Sequence, residues 1–126
     1  MAEFEYPRDL RLLSGADFKR VFDKATYKVS DQHLLILARP SETSHPRLGF
    51  VISKKNVRLA VNRNRVRRII RESFRLNQQK LPSCDLVILA RKGVDQLDNK
   101  AIHRLISKSW NRLSKKADKA KPTAKE

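Results

Sequence analysis

The stretch "NRNRVRRIIRESFR", residues 62–75, carries six arginines in fourteen positions, interrupted by large apolar residues at regular steps. The apolar residues are Val66, Ile69, Ile70 and Phe74. Because an α-helix turns by about 100° per residue, they fall on one side of a helix together with Ser73. A disordered basic tail has no use for such a face. The stretch therefore predicts a helix that packs its apolar side into a folded core.

The outer side of this helix is predicted to be a row of guanidinium groups. Arg68, Arg71 and Arg75 lie nearly opposite the apolar face, with Asn64 among them, and Arg67 lies on the flank. Arginine makes planar bidentate contacts with phosphate and stacks on bases, whereas lysine acts as a point charge. We interpret the row as a docking face for a polyanion. A solvated charged face is the alternative interpretation.

The charge of the chain supports a polyanionic partner. Residues 54–75 hold nine basic side chains and one acidic side chain, a net charge of +8 out of +16 for the whole chain. Lys and Arg number 29 against 13 Asp and Glu, and the pI is about 10.7. Nucleic acid is the leading partner for a domain with a pI above about 9. An anionic membrane surface is the other candidate.

The start of the basic helix adds to the same surface. Asn62 or Asn64 is predicted to be its N-cap, since asparagine side chains accept hydrogen bonds from the first helical N–H groups. The remaining free N–H groups would lie beside Lys54 and Lys55 and favour anions.

Three short apolar segments rich in branched residues predict β-strands. They are residues 32–39, 47–53 and 84–91. The turn-forming sequence "PSETSHP" between the first two predicts a hairpin. The basic helix lies between the second and third segments, so the chain is predicted to contain a β-α-β unit.

Two further amphipathic helices are predicted. In "LSGADFKRVFDKA", Ser14 is a suitable N-cap, and Phe18, Val21, Phe22 and Ala25 share one face. Packing in the core is the favoured role of that face, and an aromatic edge left open for base stacking is the alternative. In "AIHRLISKSWNRL", residues 101–113, the apolar residues again share one face, which predicts a helix covering the sheet.

The chain is long enough for one domain and too short for two ordinary ones. We expect the domain over residues 1–114 and a disordered basic tail over residues 115–126, which contain no large apolar residue. The longest apolar runs have five residues, against roughly twenty in a membrane-spanning helix. The first ten residues lack the apolar region of a secretory signal.

The residue inventory argues against a self-contained catalytic site. The single cysteine, Cys84, excludes an intrachain disulfide and a zinc site built on several thiolates, so we expect a cytoplasmic, metal-free protein. His33, His45 and His103 are scattered and lack acidic neighbours at ligand spacing. No HExxH sequence and no glycine-rich phosphate loop is present. If the protein takes part in catalysis, we expect another component to supply the chemistry.

Residues 47–75, "RLGFVISKKNVRLAVNRNRVRRIIRESFR", resemble the signature of the bacterial ribonuclease P protein family. The shared features are an R-(L/V)-G strand, an S-K-K turn, A-x-x-R-N-R and a basic helix with R-E. "DFKRVF" and "DLVILAR" resemble the family's first helix and last strand. The resemblance implies an α+β fold, a single-domain two-layer sandwich in the order α-β-β-β-α-β-α. It also implies a left-handed β-α-β crossover, which is rare, and a short extra strand near residues 57–60 or 28–30.

The resemblance also implies a function in tRNA processing. Family members are subunits of a ribonucleoprotein endonuclease, a hydrolase that removes the 5′ leader from precursor tRNA. The RNA subunit carries the active site and the catalytic Mg²⁺ ions, so the protein itself is expected to bind no cofactor and to cleave nothing alone. The implied partners are the catalytic RNA, in a 1:1 complex, and precursor tRNA, with no membrane.

Site residues carry over by position. Those implied to bind the catalytic RNA are Arg63, Asn64, Arg65, Arg67, Arg68, Arg71 and Arg75. Those implied to contact the leader, in a cleft between the first helix and the sheet, are Phe18, Phe22, Ile36, Lys54 and Lys55. No catalytic or metal-binding residue is implied. Two other classes stay open on composition alone: a structural RNA-binding protein, such as a ribosomal component or RNA chaperone, and a nuclease acting by itself.

Overall fold

The computed structural model describes residues 15–41 and 46–120. In chain order the elements are α1 (Gly15–Asp23), β1 (Tyr27–Ser30), β2 (Leu34–Pro40), β3 (Arg47–Val51), α2 (Ala60–Asn77), β4 (Cys84–Ala90) and α3 (Asn99–Ala120), with a short 3₁₀ turn at Val94–Gln96 before α3. This is the predicted α+β order. Ser14, the predicted cap of the first helix, lies outside the described residues.

The four strands form one sheet in the order β1-β2-β4-β3. The β1–β2 and β2–β4 pairs are antiparallel, and β3 pairs with β4 in parallel. The segment β3-α2-β4 is therefore the predicted β-α-β unit. Six of the seven β4 residues are buried, as expected for a strand paired on both edges.

The predicted hairpin between residues 32–39 and 47–53 is wrong. β4 lies between β2 and β3, so these two strands do not pair. The hairpin is formed by β1 and β2, and β1 is the extra strand expected near residues 28–30. The other candidate, residues 57–60, leads into α2 without a strand. β1 has only four residues, Tyr27–Ser30, and one buried side chain, which explains its weak signal in the sequence.

The two faces of the sheet carry different layers. Leu34, Ile36 and Ala38 of β2 are buried in the main core, which α2 and α3 complete. Leu35 and Leu37 alternate with them, so they point to the opposite face, where α1 lies. That face is only partly covered, since Leu35 and Leu37 are both half-buried.

A hydrogen bond ties α2 to α3 inside the main core. The indole Nε1 of Trp110 donates to the hydroxyl Oγ of Ser73 over 2.9 Å, and both side chains are buried. The Phe74 ring lies 6.2 Å from the Trp110 ring, centroid to centroid, at 59°. Ser73 is thus the polar residue on the apolar face because it satisfies the only N–H of the indole.

The third helix runs further than expected. The disorder predicted from residue 115 onward is wrong for residues 115–120, which continue α3. Two contacts hold this part: Ala117 is buried, and the Ser114 hydroxyl donates to the Lys80 carbonyl over 3.1 Å. A small apolar residue is enough here because Ala117 lies beside Leu81 and Pro82, in the loop that follows α2. Residues 121–126 lie outside the described residues.

Candidate nucleic-acid interface

The outer face of α2 carries the predicted row of arginines. All five residues predicted to face the core are buried: Val66, Ile69, Ile70, Ser73 and Phe74. We call the outward residues Arg67, Arg68, Arg71 and Arg75 the arginine ladder. Arg68 and Arg71 are exposed, whereas Arg67 and Arg75 are half-buried. The predicted division of the helix into an apolar and a basic face is confirmed.

Neighbouring side chains hold several members of the ladder in place. The Arg71 guanidinium carbon lies 6.0 Å from the centroid of the Phe50 ring, within cation–π range. Arg67 donates from Nη1 to Oδ1 of Asn64 over 3.1 Å. Arg75 approaches Glu72, with 3.6 Å between Nη2 and Oε1. These contacts restrict the three side chains, and Arg67 and Arg75 each keep guanidinium N–H groups for an outside acceptor.

Arg63 stabilises the entry to α2 from inside the protein. Its Nη1 donates to the carbonyls of Val57 and Arg58, both over 2.9 Å. The helix begins at Ala60 with Leu59 as N-cap, and no side chain caps it. The predicted caps, Asn62 and Asn64, are therefore wrong: both lie within the helix. The arginine holds the turn before the helix through these carbonyls, but as a donor it does not cap the first N–H groups of α2.

Arg65 also turns inward. Its guanidinium donates to the carbonyls of Leu97 and Asp95, each over 3.1 Å, and to Oδ1 of Asn99 over 2.9 Å. It thereby fixes the start of α2 to the segment that leads into α3. We call this the Arg65 clamp. No sequence signal revealed it, because two of its three acceptors are backbone carbonyls about thirty residues away.

The opposite face of the sheet forms a partly open apolar surface beside α1. Val21 of α1 is buried against Val87, and Phe18, Leu37 and Leu89 pack around this pair. The structure therefore uses Phe18 largely for packing, as the periodicity favoured. Phe22, by contrast, is 44% exposed.

The row of sheet residues beyond α1 is less covered. Leu35, Leu89 and Val51 are aligned across β2, β4 and β3 on this face. Val51 is 36% exposed, and the other two are half-buried. Together with Phe22, these residues define what we call the α1 cleft. Of its four members, only Phe22 was among the residues predicted to contact the leader.

An ion pair fixes α1 to the sheet at the other end of the cleft. Arg47 in β3 donates to both carboxylate oxygens of Asp85 in β4, over 2.7 and 2.8 Å. The same guanidinium lies 3.5 Å from Oδ1 of Asp17 in α1. The hydrogen bond to Asp85 raises the pKa of Arg47 further above its ordinary value. Sequence reasoning missed this contact, since it placed Arg47 only within the family motif.

Lys54 and Lys55 lie in the turn that follows β3, and both are exposed. The turn is anchored on both sides of the pair. The backbone N–H of Asn56 donates to the Ser53 carbonyl over 3.2 Å, and its side-chain Nδ2 donates to the Ala90 carbonyl over 2.9 Å. Two exposed lysines are thus held just after β3, and their contact with the leader stays a prediction.

Ile36 does not belong to the cleft, and its predicted leader contact is wrong. Its side chain is 1% exposed and packs in the main core with α2 and α3. It lies opposite Ile88 in β4, on the face away from α1. Because side chains alternate along a strand, the residues of β2 that reach the α1 side are its neighbours Leu35 and Leu37.

The remaining titratable candidates show no catalytic arrangement. Burial raises the pKa of the Cys84 thiol to about 11, so this buried side chain is protonated at neutral pH. His33 is half-buried and His103 is exposed, whereas His45 lies outside the described residues. Within residues 15–41 and 46–120, no group of three or more His, Cys, Asp or Glu is arranged to hold a metal ion. In the same residues, no helix is long and apolar enough to span a membrane.

The class of protein to which this chain belongs is a four-stranded α+β sandwich with a strongly basic helical layer. The sequence profile of the family described as Ribonuclease P matches residues 6–114. The ribonuclease P protein component of Chromohalobacter salexigens is 51% identical over 115 residues, which cover 91% of this chain and 90% of that protein. That of Pseudomonas aeruginosa is 51% identical over 113 residues, covering 90% and 84%. The chain belongs to the ribonuclease P protein family.

Solved structures agree with this assignment. The RNase P protein of Staphylococcus aureus superposes with a TM-score of 0.73 at 28% identity, covering 86% of this chain and 94% of that one. The RNase P protein of Thermotoga maritima, in complex with 1-(4-fluorophenyl)-2-thiourea, gives 0.73 at 26% identity, covering 81% and 98%. The chain is accordingly a ribonuclease P protein component, part of a tRNA-processing ribonucleoprotein. This membership favours ribonuclease P over a ribosomal component.

Proposed function

We propose that this protein binds the catalytic RNA of ribonuclease P through the arginine ladder and the 5′ leader of precursor tRNA through the α1 cleft. In this way it assists endonucleolytic removal of the leader. The observation that carries the proposal is the outward face of α2. Arg68 and Arg71 project from a helix whose other side is anchored in the core, so their positions are set before RNA arrives. Such pre-organisation lowers the entropic cost of binding.

The inward arginines have an indirect part in this proposal. Arg63 and Arg65 position α2 through hydrogen bonds to backbone carbonyls. Their remaining N–H groups can still meet phosphate at the helix start, with Asn64 exposed between them. The motif Arg63-Asn64-Arg65 thus acts first as a positioning element and second as a contact.

The α1 cleft suits a single strand. Its wall combines the exposed ring of Phe22 with the aliphatic row that ends at Val51, and the exposed Lys54 and Lys55 follow β3. An aromatic side chain stacks on a base of any identity, and lysines attract the backbone. This combination recognises an unpaired leader without requiring a particular sequence. Phe18 packs at the base of the cleft, so its ring does not offer an open surface for stacking.

The protein's contribution is binding and positioning. Every residue assigned to the ladder is an arginine, whose guanidinium stays protonated and cannot act as a general base. We assign cleavage and the Mg²⁺ ions to the RNA subunit, with one protein per RNA, in the cytoplasm where bacterial precursor tRNA is made.

A reconstitution experiment tests this function. Purified protein is added to the catalytic RNA and a 5′-labelled precursor tRNA at low Mg²⁺. The proposal expects stimulated cleavage at the mature 5′ end and none from protein alone. Cleavage by RNA-free protein would contradict the assignment of catalysis. Failure of Arg68→Gln with Arg71→Gln to weaken assembly would contradict the role of the ladder.

A further inference from the structure

The outer face of α3 is a second basic surface that the proposed function does not use. The helix contains seven Lys and Arg residues and a single acidic residue, Asp118, a net charge of +6 in 22 residues. The periodicity of its apolar residues explains only its inner side. Its charge therefore needs an account of its own.

Four of these cations form one line along the helix, which we call the α3 ridge. They are Lys100, Arg104, Lys108 and Lys115. All four are exposed. At about 100° per residue they fall within one side of the helix, opposite the buried residues Ile102, Ile106 and Leu113. With a rise of about 1.5 Å per residue, the ridge is roughly 22 Å long.

The ridge is unfavourable for the protein alone. Lys100, Arg104 and Lys108 follow one another at four-residue intervals, and like charges at this spacing destabilise a helix. Lys100 also lies in the first turn, where the helix dipole disfavours a cation. Among the described residues, none of the four side chains makes a hydrogen bond or an ion pair. A bound polyanion would remove this repulsion.

The inner contacts of α3 hold the ridge rigidly. The Arg65 clamp fixes its start through Asn99. Trp110 fixes its middle through Ser73, and Arg112 donates to the Ser30 carbonyl of β1 over 3.2 Å. These contacts fix the backbone of α3 at its start and near its middle, so the four cations extend from anchored positions.

The ridge and the arginine ladder belong to different sides of the helical layer. Arg71 in the ladder lies over Phe50 of β3, at one edge of the sheet. Arg112, beside the ridge, reaches β1 at the opposite edge. The buried contact between Ser73 and Trp110 runs between the two surfaces. They can therefore engage two separate partners or two separate segments of one partner.

We propose that the α3 ridge binds the sugar-phosphate backbone of a second RNA segment, apart from the segment docked on the arginine ladder. The inference rests on the proposed function. The ridge has three lysines and one arginine, and lysine suits phosphate contact without base readout. A membrane surface fits less well, because interfacial helices bury an apolar face beside their cations. The exposed large apolar side chains among the described residues are Phe22, Val51, Leu59, Val61 and Leu76, none of them on α3.

A charge-removal variant tests the proposal. Lys100→Gln, Arg104→Gln and Lys108→Gln are combined in the full-length protein. The matched control, Lys24→Gln, Lys80→Gln and Lys92→Gln, removes the same charge from scattered exposed positions. Circular dichroism and urea unfolding check that both fold. Binding to the catalytic RNA is then measured over a range of KCl concentrations.

The expected result is a change in salt dependence specific to the ridge. Each phosphate contact contributes about 0.7 to 0.9 to the slope of log K against log [KCl], so the ridge variant should lose about 2 units of slope. The control should lose clearly less. If the two variants have equal slopes with the catalytic RNA, the segment bound by the α3 ridge must belong to precursor tRNA. The same titration with precursor tRNA on the preformed holoenzyme tests that source, and equal slopes in both titrations would overturn the proposal.

Footprinting separates this inference from the proposed function. Hydroxyl-radical protection of the catalytic RNA and the precursor tRNA is compared for the wild type, the ridge variant and Arg68→Gln with Arg71→Gln. The proposal expects each variant to lose a different protected segment. If only the ladder variant loses protection, the proposed function stands and the ridge inference fails. If neither loses protection, both fail. Ridge-dependent binding to phosphatidylglycerol vesicles with unchanged RNA binding would also overturn the inference.

Discussion

Arg47 donates two hydrogen bonds to the buried carboxylate of Asp85, from Nε to Oδ1 and from Nη2 to Oδ2. The Asp85 side chain is 5% exposed and that of Arg47 is 19% exposed, so the pair is largely removed from water. Since Arg47 also approaches Asp17, one guanidinium connects β3, β4 and α1. The position of the α1 cleft depends on this connection.

Removing Arg47 should be more damaging than removing the whole pair. Arg47→Ala leaves Asp85 charged and buried without its partner, and we expect a loss of about 3 kcal/mol in the free energy of unfolding. Arg47→Ala with Asp85→Ala should lose less. Urea unfolding of the two variants checks this order. A double variant less stable than the single one would contradict the account of the pair.

The hydrogen bond between α2 and α3 should contribute measurably to stability. Ser73→Ala leaves the buried indole N–H of Trp110 without an acceptor, at a cost of about 1–3 kcal/mol. Trp110→Phe also loses packing volume, so the double-mutant cycle isolates the bond. Thermal or urea unfolding of the four proteins gives the coupling. A coupling near zero would show that water replaces the bond.

Variants of the inward and the outward arginines of α2 should differ in stability and in RNA affinity. Arg65→Gln breaks the Arg65 clamp, so both stability and RNA affinity should fall. Arg68→Gln should leave the free energy of unfolding within about 0.5 kcal/mol, as for most surface changes, while weakening RNA binding. Unfolding and RNA titration on the same preparations check both statements. A stable Arg65→Gln protein would show that the clamp is dispensable.

The α1 cleft and the core beneath it should also respond differently. Phe22→Ala should reduce the preference of the holoenzyme for leader-bearing over mature tRNA, with a smaller loss of stability than a core truncation because Phe22 is 44% exposed. Ile36→Ala should cost about 2–5 kcal/mol of stability, as for other core truncations, and act on the leader only through the fold. Competition binding with the two tRNA forms measures the preference. Unchanged preference in Phe22→Ala would remove this ring from the cleft's function.

Cys84 should resist thiol reagents until the protein unfolds. Burial raises the pKa of its thiol from 9.0 to about 11, so at pH 8 the native protein has almost no thiolate. Between pH 9 and 11 the unfolded chain loses this proton while the folded one keeps it. The free energy of unfolding should therefore fall as the pH rises through that window. Labelling with and without urea checks the first statement, and Cys84→Ala, which should flatten the pH profile, checks the second.

Much of the helical layer was predictable because helical periodicity is a local signal. The buried face of α2 and the inner face of α3 both follow from apolar residues at three- and four-residue spacing. Strand order was not predictable in this way. The cores of β2 and β4, "LLILA" and "LVILA", are nearly identical in composition. Local sequence therefore does not say which strand occupies the centre of the sheet.

Two other features could not be predicted from the sequence. They are the face to which a strand residue points and the hydrogen-bond partners of long side chains. Alignment assigned Ile36 to the cleft, but a shift of one position moves a strand residue to the opposite face. Arg63 and Arg65 looked like ligands for an outside anion. Four of their five acceptors are backbone carbonyls, which exist in every sequence and leave no signature.

The central position of β4 sets an order of events during synthesis. β2 and β3 both pair with β4, which is the last strand to leave the ribosome, and they do not pair with each other. Until Cys84–Ala90 has emerged, only the β1–β2 hairpin can form, and α2 has no complete sheet to pack against. A nascent chain stalled before residue 84 would thus display its arginines without a fixed arrangement. Specific recognition can begin only once Cys84–Ala90 has emerged and paired with both of its neighbours.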